Sequence, residues 1–467
     1  MKDVAAIILA AGKGTRMKSG LVKVMHPLGG RPMIFWPVSA ARAAGAARSV
    51  LVVGFQGEKV REYFDAAGDL SFAAQEEQNG TGHAVACAAP LLRGFTGRVL
   101  LLCGDVPLIR PATLQALLSF HESARATLTV LTARPADPFG YGRVVKDEAE
   151  KVLRIVEEKD ATPAEKRIAE INTGIYCVEA EFLFAAVAGL KNDNAQGEYY
   201  LTDIVKMGAE QGKLCLSFPV ADTEEVMGVN DRVQLAAAGR VLRSRINERL
   251  MLSGVTIIDP DSTHIEEGVE IGTDTVIHPN VHISGATVIG ADCLVEPSVV
   301  IRGCTIGSNV TIKAGSVMAD SIVGDGAAIG PMAHLRPGNE LGAHVKIGNF
   351  VEVKKVVMGE GSKASHLTYL GDAAIGRNVN IGCGTITCNY DGVNKHRTVI
   401  GDDVFVGSDV QFVAPVTVGR NSLIAAGTTV TVDVPPDSLA IARVPQVNKE
   451  GWVEKQAKGK GQRAKGH

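Results

Sequence analysis

The stretch IEEGVEIGTDTVIHPNVHISGATVIGADCLVEPSVVI, residues 265–301 of the 467-residue chain, decides the fold of the C-terminal half. Every sixth residue from Ile265 onward is aliphatic, through seven consecutive positions that end at Ile301. Chance does not produce so long a run at a fixed spacing. A period of six is typical of a parallel β-helix built from hexapeptides. An ordinary β-sandwich would instead show apolar residues at a period of two.

The hexapeptide period continues beyond residue 301 with short interruptions. Three hexapeptides form one triangular coil, and the aliphatic side chain of each points inward. A narrow prism has little room for large rings, and aromatic residues make up only 5% of the chain, whereas 52 residues are glycine. We therefore predict a left-handed parallel β-helix over residues 253–448. The further inward positions are Ile306, Ile312, Met318, Ile329, Leu335, Leu341, Ile347, Val353, Ile375 and Ile381.

A polar segment, TITCNYDGVNKHRT (385–398), interrupts this period. We expect the whole segment to lie outside the core and to project from one face of the β-helix. Insertions on a regular repeat scaffold often carry its function. The segment is therefore a candidate for a functional site.

Composition and charge exclude several classes of protein. Lys and Arg number 48 and Asp and Glu 51, a net charge of −3, which argues against a protein that coats nucleic acid or an anionic membrane. The eight cysteines are scattered without a C-x-x-C pair, which argues against a disulfide scaffold or a structural zinc site. No apolar stretch approaches the ~18 residues of a membrane-spanning helix. We expect a cytoplasmic protein.

Residues 1–229 follow a different pattern, in which short apolar runs alternate with helix-compatible segments. The runs VAAIILA (4–10), SVLVVG (49–54), RVLLLC (98–103) and ATLTVLTA (126–133) are apolar on both faces. Such runs are typical of a parallel sheet covered on both sides. We predict a doubly wound, Rossmann-like α/β domain, with three further strands in residues 142–180 as a mixed addition at one edge.

The remaining segments complete the predicted domain organisation. Residues 231–252 contain one glycine and no proline, which predicts a long helix. The tail from residue 449 has six Lys or Arg and two Glu among several glycines. We predict an α/β domain over 1–229, a linker helix over 230–252, the β-helix over 253–448 and a basic, flexible tail over 449–467.

A glycine-rich turn, LAAGKGTRM (9–17), follows the first predicted strand. The backbone N–H groups of such a turn can approach phosphates closely, and Lys13 and Arg16 add positive charge. The spacing of the glycines matches neither the dinucleotide-binding pattern nor the P-loop. Taken alone, the segment is also compatible with a purely structural turn.

Motifs around this turn resemble those of the sugar-nucleotide pyrophosphorylases. With the β-helix and the motifs around His366, the resemblance covers nearly the whole chain. The sequence is similar to the bacterial bifunctional enzymes that acetylate glucosamine-1-phosphate and then uridylylate the product. One departure is Val22, which stands where this family usually has proline before Lys23. The N-terminal motifs are residues 9–16 with Lys23, Q-x-x-Q-x-G-T (75–81), GDVP (104–107), GYGR (140–143), E-x-K-D (157–160), NTG (172–174) and GVN (228–230).

The resemblance implies that the N-terminal half transfers uridylyl from UTP to N-acetylglucosamine-1-phosphate and releases pyrophosphate. Asp105 and Asn230 would hold Mg²⁺ through hard oxygen donors. Arg16 and Lys23 would steady the triphosphate, since this chemistry depends on positioning and charge neutralisation. Three residues, Gln75, Gly80 and Thr81, would contact the uracil. The other implied nucleotide or UDP-sugar contacts are Leu9, Ala10, Ala11, Gly12, Gly140, Glu157 and Asn172.

In the C-terminal half, the resemblance makes His366 the base for acetyl transfer from acetyl-CoA. By itself, His366 would be interpreted as a surface histidine. Attack of an amine on a thioester needs a base near neutral pH, and the oxyanion needs N–H donors, from the backbone around the polar segment or from Ser408. A covalent acetyl-Cys383 route is disfavoured, because direct transfer needs no second nucleophile. Implied sugar-phosphate contacts are Arg336, Lys354, Tyr369, Asn380 and Lys395, and implied acetyl-CoA contacts are Cys383, Asn389, Tyr390, Ser408, Ala426 and Arg443.

Two alternative functions make different demands on the sequence. A single-activity sugar-1-phosphate nucleotidyltransferase, with a regulatory or oligomerising β-helix, requires neither His366 nor the polar segment. A structural β-helix fused to a degenerate nucleotide-binding domain requires a damaged N-terminal site, whereas Lys23 and Asp105 are both present. The resemblance also implies small-molecule partners only and a homotrimer with acetyl-CoA bound between subunits.

Overall fold

The computed structural model describes residues 3–65 and 67–463. Two compact units are present, one ending at Ile246 and the other beginning at Asn247. The division lies within the helix Arg232–Leu252, which the sequence predicted from residue 231. The predicted domain limits at residues 229 and 252 stay predictions.

The first unit contains a nine-stranded sheet between two apolar cores. Alternate residues of its first strand face opposite cores, so that Ile7 belongs to one and Ile8 to the other, as the period of two requires. The strands are β1 (Val4–Ala10), β2 (Pro27–Leu28), β3 (Arg31–Pro32), β4 (Ala46–Val53), β5 (Leu70–Ala74), β6 (Arg98–Cys103), β7 (Leu128–Ala133), β8 (Arg143–Lys146), β9 (Val152–Val156), β10 (Ile171–Glu179) and β11 (Cys215–Pro219), and the helices are α1 (Phe35–Ala43), α2 (Gly57–Tyr63), α3 (Thr81–Ala88), α4 (Pro111–Ala124), α5 (Ala180–Ala188), α6 (Asp203–Glu210) and α7 (Arg232–Leu252).

The main path of the sheet is β11-β7-β10-β6-β1-β4-β5. Strands β1, β4, β5 and β6 are parallel, as predicted, whereas β10 is antiparallel to both β6 and β7. The prediction that all three later strands lie at an edge is therefore wrong for β10. Four consecutive residues of β10, 175–178, are buried, and such a strand needs cover on both faces that the sheet interior provides. Strands β8 and β9 form a hairpin beside β10.

The carboxyl ends of the parallel strands lie at one edge of the sheet. Leu9 on β1 is opposite both Val52 on β4 and Cys103 on β6. The glycine-rich turn after β1 and the segments after β4 and β6 therefore leave the sheet side by side, and β5 pairs in parallel with β4. In open α/β sheets this edge is where ligands bind.

The second unit is a parallel β-helix. From β12 to β24, each short strand pairs in parallel with the strand three positions later, so three strands complete one coil, as the hexapeptide period predicted. Ile265 is opposite Ile283, and Ile283 is opposite Ile301. The strands are β12 (Thr256–Ile257), β13 (His264–Ile265), β14 (Glu270–Ile271), β15 (Val276–Ile277), β16 (His282–Ser284), β17 (Val288–Ile289), β18 (Leu294–Val295), β19 (Val300–Arg302), β20 (Thr305–Ile306), β21 (Thr311–Ile312), β22 (Val317–Ala319), β23 (Ser321–Val323), β24 (Ala328–Ile329), β25 (His334–Leu335), β26 (Asn339–Leu341), β27 (Lys346–Met358), β28 (Lys363–Ile375), β29 (Asn380–Ile381), β30 (Ile386–Cys388), β31 (Thr398–Ile400), β32 (Phe405–Val406), β33 (Gln411–Val413), β34 (Val416–Val418), β35 (Leu423–Ile424), β36 (Thr429–Val430) and β37 (Leu439–Ala440).

The predicted inward positions are buried with one exception, Ile271, which is half-buried. Ile271 belongs to β14 in the first coil, and its strand pairs only with β17 in the second coil. An aliphatic side chain there has coil packing on one side only. The other inward residues of this coil, Ile257 and Ile265, are buried, so the greater exposure is confined to Ile271.

The polar segment 385–398 does not lie wholly outside the core, so that prediction is corrected. Thr385, Thr387 and Thr398 are at most 1% exposed, and residues 386–388 form β30. The Thr387 hydroxyl accepts from the Gly371 N–H at 2.7 Å and donates to the Gly371 carbonyl at 3.1 Å, which satisfies it inside the prism. The excursion from the β-helix is therefore shorter and comprises residues 389–397.

The tail contains one helix, α8 (Trp452–Arg463). The prediction of a flexible tail gave weight to its glycines, whereas Glu454, Lys455 and Ala457 are good helix formers. The prediction of a basic, flexible tail stays a prediction. The last residues, 464–467, lie outside the described part of the chain.

Candidate active sites

A cavity of about 320 Å³ lies at the carboxyl edge of the first unit's sheet. It contains most of the residues that the sequence assigned to UTP, together with five that it did not assign. Arg16, Gly140, Glu157, Asn172 and Asn230 do not line it. The assigned residues that line it are Leu9, Ala10, Ala11, Gly12, Lys23, Gln75, Gly80, Thr81 and Asp105, and the others are Val24, Gln78, Ala84, Cys103 and Glu198.

The glycine-rich turn after β1 packs against the stem of Lys23. Gly14 has φ +62°, and a Cβ built on it would lie 2.5 Å from Lys23 Cβ, so a side chain there is excluded. Val22 has φ −58°, within the range that proline would fix, so the departure from the family's proline leaves the backbone before Lys23 in a proline-like conformation. The turn and Lys23 are thus positioned together.

A charged cluster forms beside this turn from residues far apart in sequence. Lys23 Nζ is hydrogen-bonded to the Asp105 carboxylate and lies 3.2 Å from Asn230 Oδ1. Arg16 Nη2 donates to the same Asn230 oxygen at 2.8 Å. The Val229 N–H donates to the Asp105 carbonyl at 2.8 Å, and this backbone contact brings Asn230 beside the end of β6. The four side chains therefore form one hydrogen-bonded group.

The donor set of this cluster fits a magnesium ion. A carboxylate oxygen of Asp105 and the amide oxygen of Asn230 converge on a single cation, the Lys23 ammonium. Mg²⁺ takes hard oxygen ligands and is usually held by one or two carboxylates, with phosphates and water supplying the rest. Within residues 3–65 and 67–463, no group of three or more His, Cys, Asp or Glu side chains is arranged to hold a metal. A divalent ion here would depend on substrate oxygens.

One wall of the cavity is formed by the segment between β5 and α3. Gly80 has φ +102°, and a Cβ built on it would lie 2.6 Å from the Tyr199 carbonyl oxygen, so only glycine fits. Gln75 Nε2 donates to the Gly80 carbonyl at 3.0 Å, and Gln78 Nε2 donates to the Ala11 carbonyl at 2.7 Å. These bonds hold the glycine-rich turn and the β5–α3 segment together around the cavity.

Glu157 and Asn172 form a second polar group in the first unit. Both flank Gly142, where a built Cβ would lie 3.5 Å from Glu157 Oε2 and 3.6 Å from Asn172 Cβ. Burial raises the pKa of Glu157, although the hydroxyl of Thr202 donates to its carboxylate at 3.2 Å. The Gly140 N–H is bonded instead to Glu158, at 3.3 Å.

In the second unit, His366 lies on β28 directly opposite Asn349 on β27. His366 Nδ1 is 2.6 Å from Asn349 Oδ1, and the His366 side chain is exposed. Sequence analysis did not assign Asn349 to the site. The available signal was its position 17 residues before His366, because paired residues on β27 and β28 have that separation.

One corner of the β-helix contains His366 and several residues assigned to acetyl-CoA. Successive coils are linked there by backbone hydrogen bonds from Gly384 N–H to the Leu367 carbonyl at 3.0 Å, from Asp409 N–H to the Cys383 carbonyl at 2.6 Å, and from Gly427 N–H to the Ser408 carbonyl at 2.9 Å. Arg443 Nη1 donates to the Ala426 carbonyl at 2.8 Å. The corner therefore stacks, coil by coil, His366, Cys383, Ser408, Ala426 and Arg443.

Lys354 and Lys395, two of the basic residues assigned to the sugar phosphate, lie close to each other. The Lys395 ammonium, within hydrogen-bonding reach of Lys354, holds the pKa of Lys354 below that of an ordinary lysine. Arg336 Nη1 pairs with Glu352 Oε1 at 2.9 Å, and Tyr369 is opposite Glu352 on the next coil. A cavity of about 340 Å³ is lined by Lys355, Asp372, Lys395, His396 and Arg397.

The excursion 389–397 is internally braced. Tyr390 and Lys395 form an isolated antiparallel bridge, and His396 Nε2 lies 2.7 Å from Asp391 Oδ2. Hydrogen bonds from the backbone of Asn394 and from His396 lower the pKa of Asp391 to about 2. At its base, Asn389 Nδ2 is hydrogen-bonded to Asp372. Asn380 lies instead on β29, opposite Lys363 and Phe405.

Comparison with known proteins gives matches along the whole chain. Residues 5–224 match the nucleotidyl transferase family model, residues 251–353 the LbH domain of EIF2B subunit epsilon, and residues 397–431 the bacterial transferase hexapeptide. Proteins described as bifunctional protein GlmU are 72% identical in Geotalea uraniireducens (97% of this chain, 99% of the relative), 66% in Geobacter sulfurreducens (97% and 98%) and 49% in Listeria monocytogenes (96% and 98%). The chain belongs to the bifunctional GlmU family.

Membership in the GlmU family confirms the enzyme that the sequence predicted. The chain is a bifunctional transferase, with uridylyl transfer in its N-terminal half and acetyl transfer in its C-terminal half. The predicted fold class, an α/β nucleotidyltransferase domain followed by a hexapeptide β-helix, is confirmed as well. In the part of the chain that the structure describes, no helix is long and apolar enough to cross a bilayer.

Proposed function

We propose that the cavity of about 320 Å³ binds UTP and that the neighbouring charged cluster binds its phosphates. The observation that carries this assignment is the convergence of Arg16, Lys23, Asp105 and Asn230 at the cavity's edge. Arg16 and Lys23 neutralise the triphosphate while the sugar phosphate attacks the α-phosphorus in line and pyrophosphate leaves. Gln75, with Gly80 and Thr81, contacts the uracil.

Asp105 and Asn230 would hold Mg²⁺. The bound ion would neutralise the developing charge on the phosphates and hold their oxygens in place. Lys23 pairs with Asp105 in the structure. With Mg²⁺ at the Asp105 carboxylate, the Lys23 ammonium would be available to bind phosphate oxygens. We assign Gly140, Glu157 and Asn172 to the sugar, because Glu157 and Asn172 form a polar group on either side of Gly142. Residues 9–12, which also line the cavity, approach the nucleotide through their backbone.

In the second unit we assign His366 as the general base for acetyl transfer. Asn349 Oδ1 can only accept a hydrogen bond, so Nδ1 of His366 carries the ring proton and Nε2 is free to take a proton. Nε2 removes the proton from the glucosamine amine as that amine attacks the thioester carbonyl, and the CoA thiolate leaves. The Ser408 backbone or the excursion supplies N–H donors for the oxyanion.

We assign Arg336, Lys354 and Lys395 to the phosphate of glucosamine-1-phosphate, and Tyr369 and Asn380 to its sugar. The corner residues Cys383, Ser408 and Ala426, with Asn389, Tyr390 and Arg443, would bind acetyl-CoA. Hexapeptide-repeat chains associate, and we propose a cytoplasmic homotrimer in which acetyl-CoA binds between subunits.

A coupled assay tests the whole assignment. Glucosamine-1-phosphate, acetyl-CoA, UTP and Mg²⁺ should together give UDP-N-acetylglucosamine, pyrophosphate and CoA. Omission of acetyl-CoA should stop the synthesis unless N-acetylglucosamine-1-phosphate is supplied. A chain that releases CoA but never forms the UDP-sugar from that intermediate would contradict the proposed nucleotide site.

A further inference from the structure

The imidazole of His83 lies beside Gln75, outside the set of residues assigned to the nucleotide. Its Nδ1 is 3.2 Å from Gln75 Nε2, and its Nε2 is 3.7 Å from Cys87 Sγ. His83 is half-buried in the first turn of α3, the helix that begins at Thr81. It therefore contacts a nucleotide-site residue without lining the cavity itself.

The Gln75 amide has both of its N–H bonds directed at the protein. One is donated to the Gly80 carbonyl, at 3.0 Å, and the other faces His83 Nδ1. Gln75 is only 4% exposed, yet it lines the cavity. A primary amide has a donor end and an acceptor end. With the donor end fully used, Gln75 can offer a ligand only its acceptor, Oε1.

We propose that His83 is a positioning residue that makes the nucleotide site selective for uracil over cytosine. By accepting the second N–H of Gln75, His83 leaves Oε1 as the only free polar atom of that amide. Uracil has a donor, N3–H, to offer to Oε1, whereas N3 of cytosine is an acceptor. The inference rests on the proposed function, in which Gln75 contacts the base.

The His83 ring has two tautomers, and each of them makes a different hydrogen bond at Nδ1. When Nδ1 accepts from Gln75 Nε2, which the Gly80 carbonyl holds beside the ring, the ring proton lies on Nε2, towards Cys87, and the proposed role uses this tautomer. His83 Nδ1 is also 3.0 Å from the Glu77 carbonyl, which can bond only to a protonated Nδ1. The alternative state would thus exchange the Gln75 bond for the Glu77 bond.

Loss of the acceptor at His83 releases one N–H of Gln75. In a nearly buried amide, an unpaired donor is costly, and rotation toward the cavity satisfies it on a ligand acceptor. Cytosine N3 is such an acceptor. The preference for UTP over CTP should therefore fall about 10- to 100-fold when the acceptor is removed.

The test compares kcat/KM for UTP and CTP in the full-length enzyme. His83→Leu removes the acceptor, whereas His83→Asn can place an amide oxygen near the position of Nδ1 and serves as the matched rescue variant. We expect His83→Leu to lower the UTP/CTP ratio about 10- to 100-fold, mainly through KM, and His83→Asn to retain most of it. Acetyl transfer and the thermal unfolding temperature report on the fold of each variant.

A double variant tests whether His83 acts through Gln75. Gln75→Leu alone should lower the UTP/CTP ratio, and adding His83→Leu should lower it no further. Unchanged discrimination in a folded His83→Leu enzyme, or an additive second loss, overturns the proposal. If His83→Leu does not fold, His83→Gln, whose amide reaches toward the Nε2 position, should show the same loss. If Gln75→Leu leaves the KM for UTP unchanged, the proposed uracil contact is wrong instead.

Discussion

Nδ1 of His366 lies 2.6 Å from Oδ1 of Asn349, and the two residues face each other on adjacent coils of the β-helix. The relationship is set by strand register, since β27 and β28 pair in parallel over most of their length. It fixes the ring proton on Nδ1 and directs the basic lone pair of Nε2 away from Asn349. The imidazole that we propose as the base is therefore oriented without a substrate.

Removal of this partner should slow acetyl transfer. We expect Asn349→Leu to lower kcat for acetyl transfer about 10- to 100-fold, because His366 loses its orientation and preferred tautomer. Asn349→Asp, which keeps an acceptor, should recover activity and move the acidic limb of the pH profile to higher pH, because a carboxylate raises the pKa of a neighbouring histidine. Steady-state rates across pH measure both effects. An Asn349→Leu enzyme with unchanged kcat would exclude this role.

The two activities should be separable by single substitutions. Asp105→Ala should abolish UDP-sugar formation and leave acetyl transfer intact, because Asp105 belongs to the charged cluster of the first unit. His366→Ala should lower acetyl transfer by about 10²- to 10⁴-fold and leave uridylyl transfer intact. Separate assays of CoA release and pyrophosphate release distinguish the two. Equal loss of both activities in either folded variant would contradict two independent sites.

The affinity for glucosamine-1-phosphate should fall at a lower alkaline pH than it would if Lys354 had the pKa of an ordinary lysine. The pKa of Lys354 is lowered by Lys395, so Lys354 loses its proton, and its charge, at a lower pH than usual. In a Lys395→Gln variant, affinity at neutral pH should fall, but the alkaline limb should move to higher pH. Calorimetric titrations across pH test this. A limb that does not move would show that Lys395 does not control the charge of Lys354.

The N-terminal unit should be active alone only if α7 is retained. Truncation after residue 229 removes Asn230 and the contacts of α7, including the bond from Arg245 Nη1 to the Leu108 carbonyl at 2.6 Å. We expect residues 1–252 to make UDP-N-acetylglucosamine from N-acetylglucosamine-1-phosphate, and residues 1–229 to be less stable and at least 10-fold slower, as expected after loss of a metal-ligand candidate. Pyrophosphate release and thermal unfolding compare the two. Equal activities would place the domain limit at residue 229.

The repeat could be predicted from sequence because each inward position of a β-helix is decided locally. An aliphatic residue every six positions fills the prism whatever lies elsewhere in the chain. The burial of Thr387 could not be predicted in this way. Its hydroxyl is hydrogen-bonded to Gly371 on the preceding coil, and hydropathy does not reveal such a contact. The position of β10 in the sheet could not be predicted either, because strand order depends on pairing between distant segments.

The candidate site residues also fall into two groups: some follow from a local sequence pattern, and others are revealed only by a contact between distant segments. The glycine-rich turn and Asp105 were predicted because each follows a recognisable strand, whereas Asn349 has no motif of its own. The position of Asn349 beside His366 becomes visible only when the 17-residue separation of paired residues on adjacent coils is known. His83 likewise stands inside a helix, and only its contact with Gln75 distinguishes it from an ordinary helical residue.

Strand pairing three positions apart makes the β-helix extensible in whole-coil steps. Ile265 is opposite Ile283, 18 residues later, so deletion of residues 265–282 would bring Ile283 into the place of Ile265 and preserve the phase of everything that follows. Loss of a single residue instead rotates each later side chain out of its column until a loop absorbs the error. The length of the scaffold and the alignment of the residues beyond it are thus independent in these first coils, and deletion of a whole coil would change the first without altering the second.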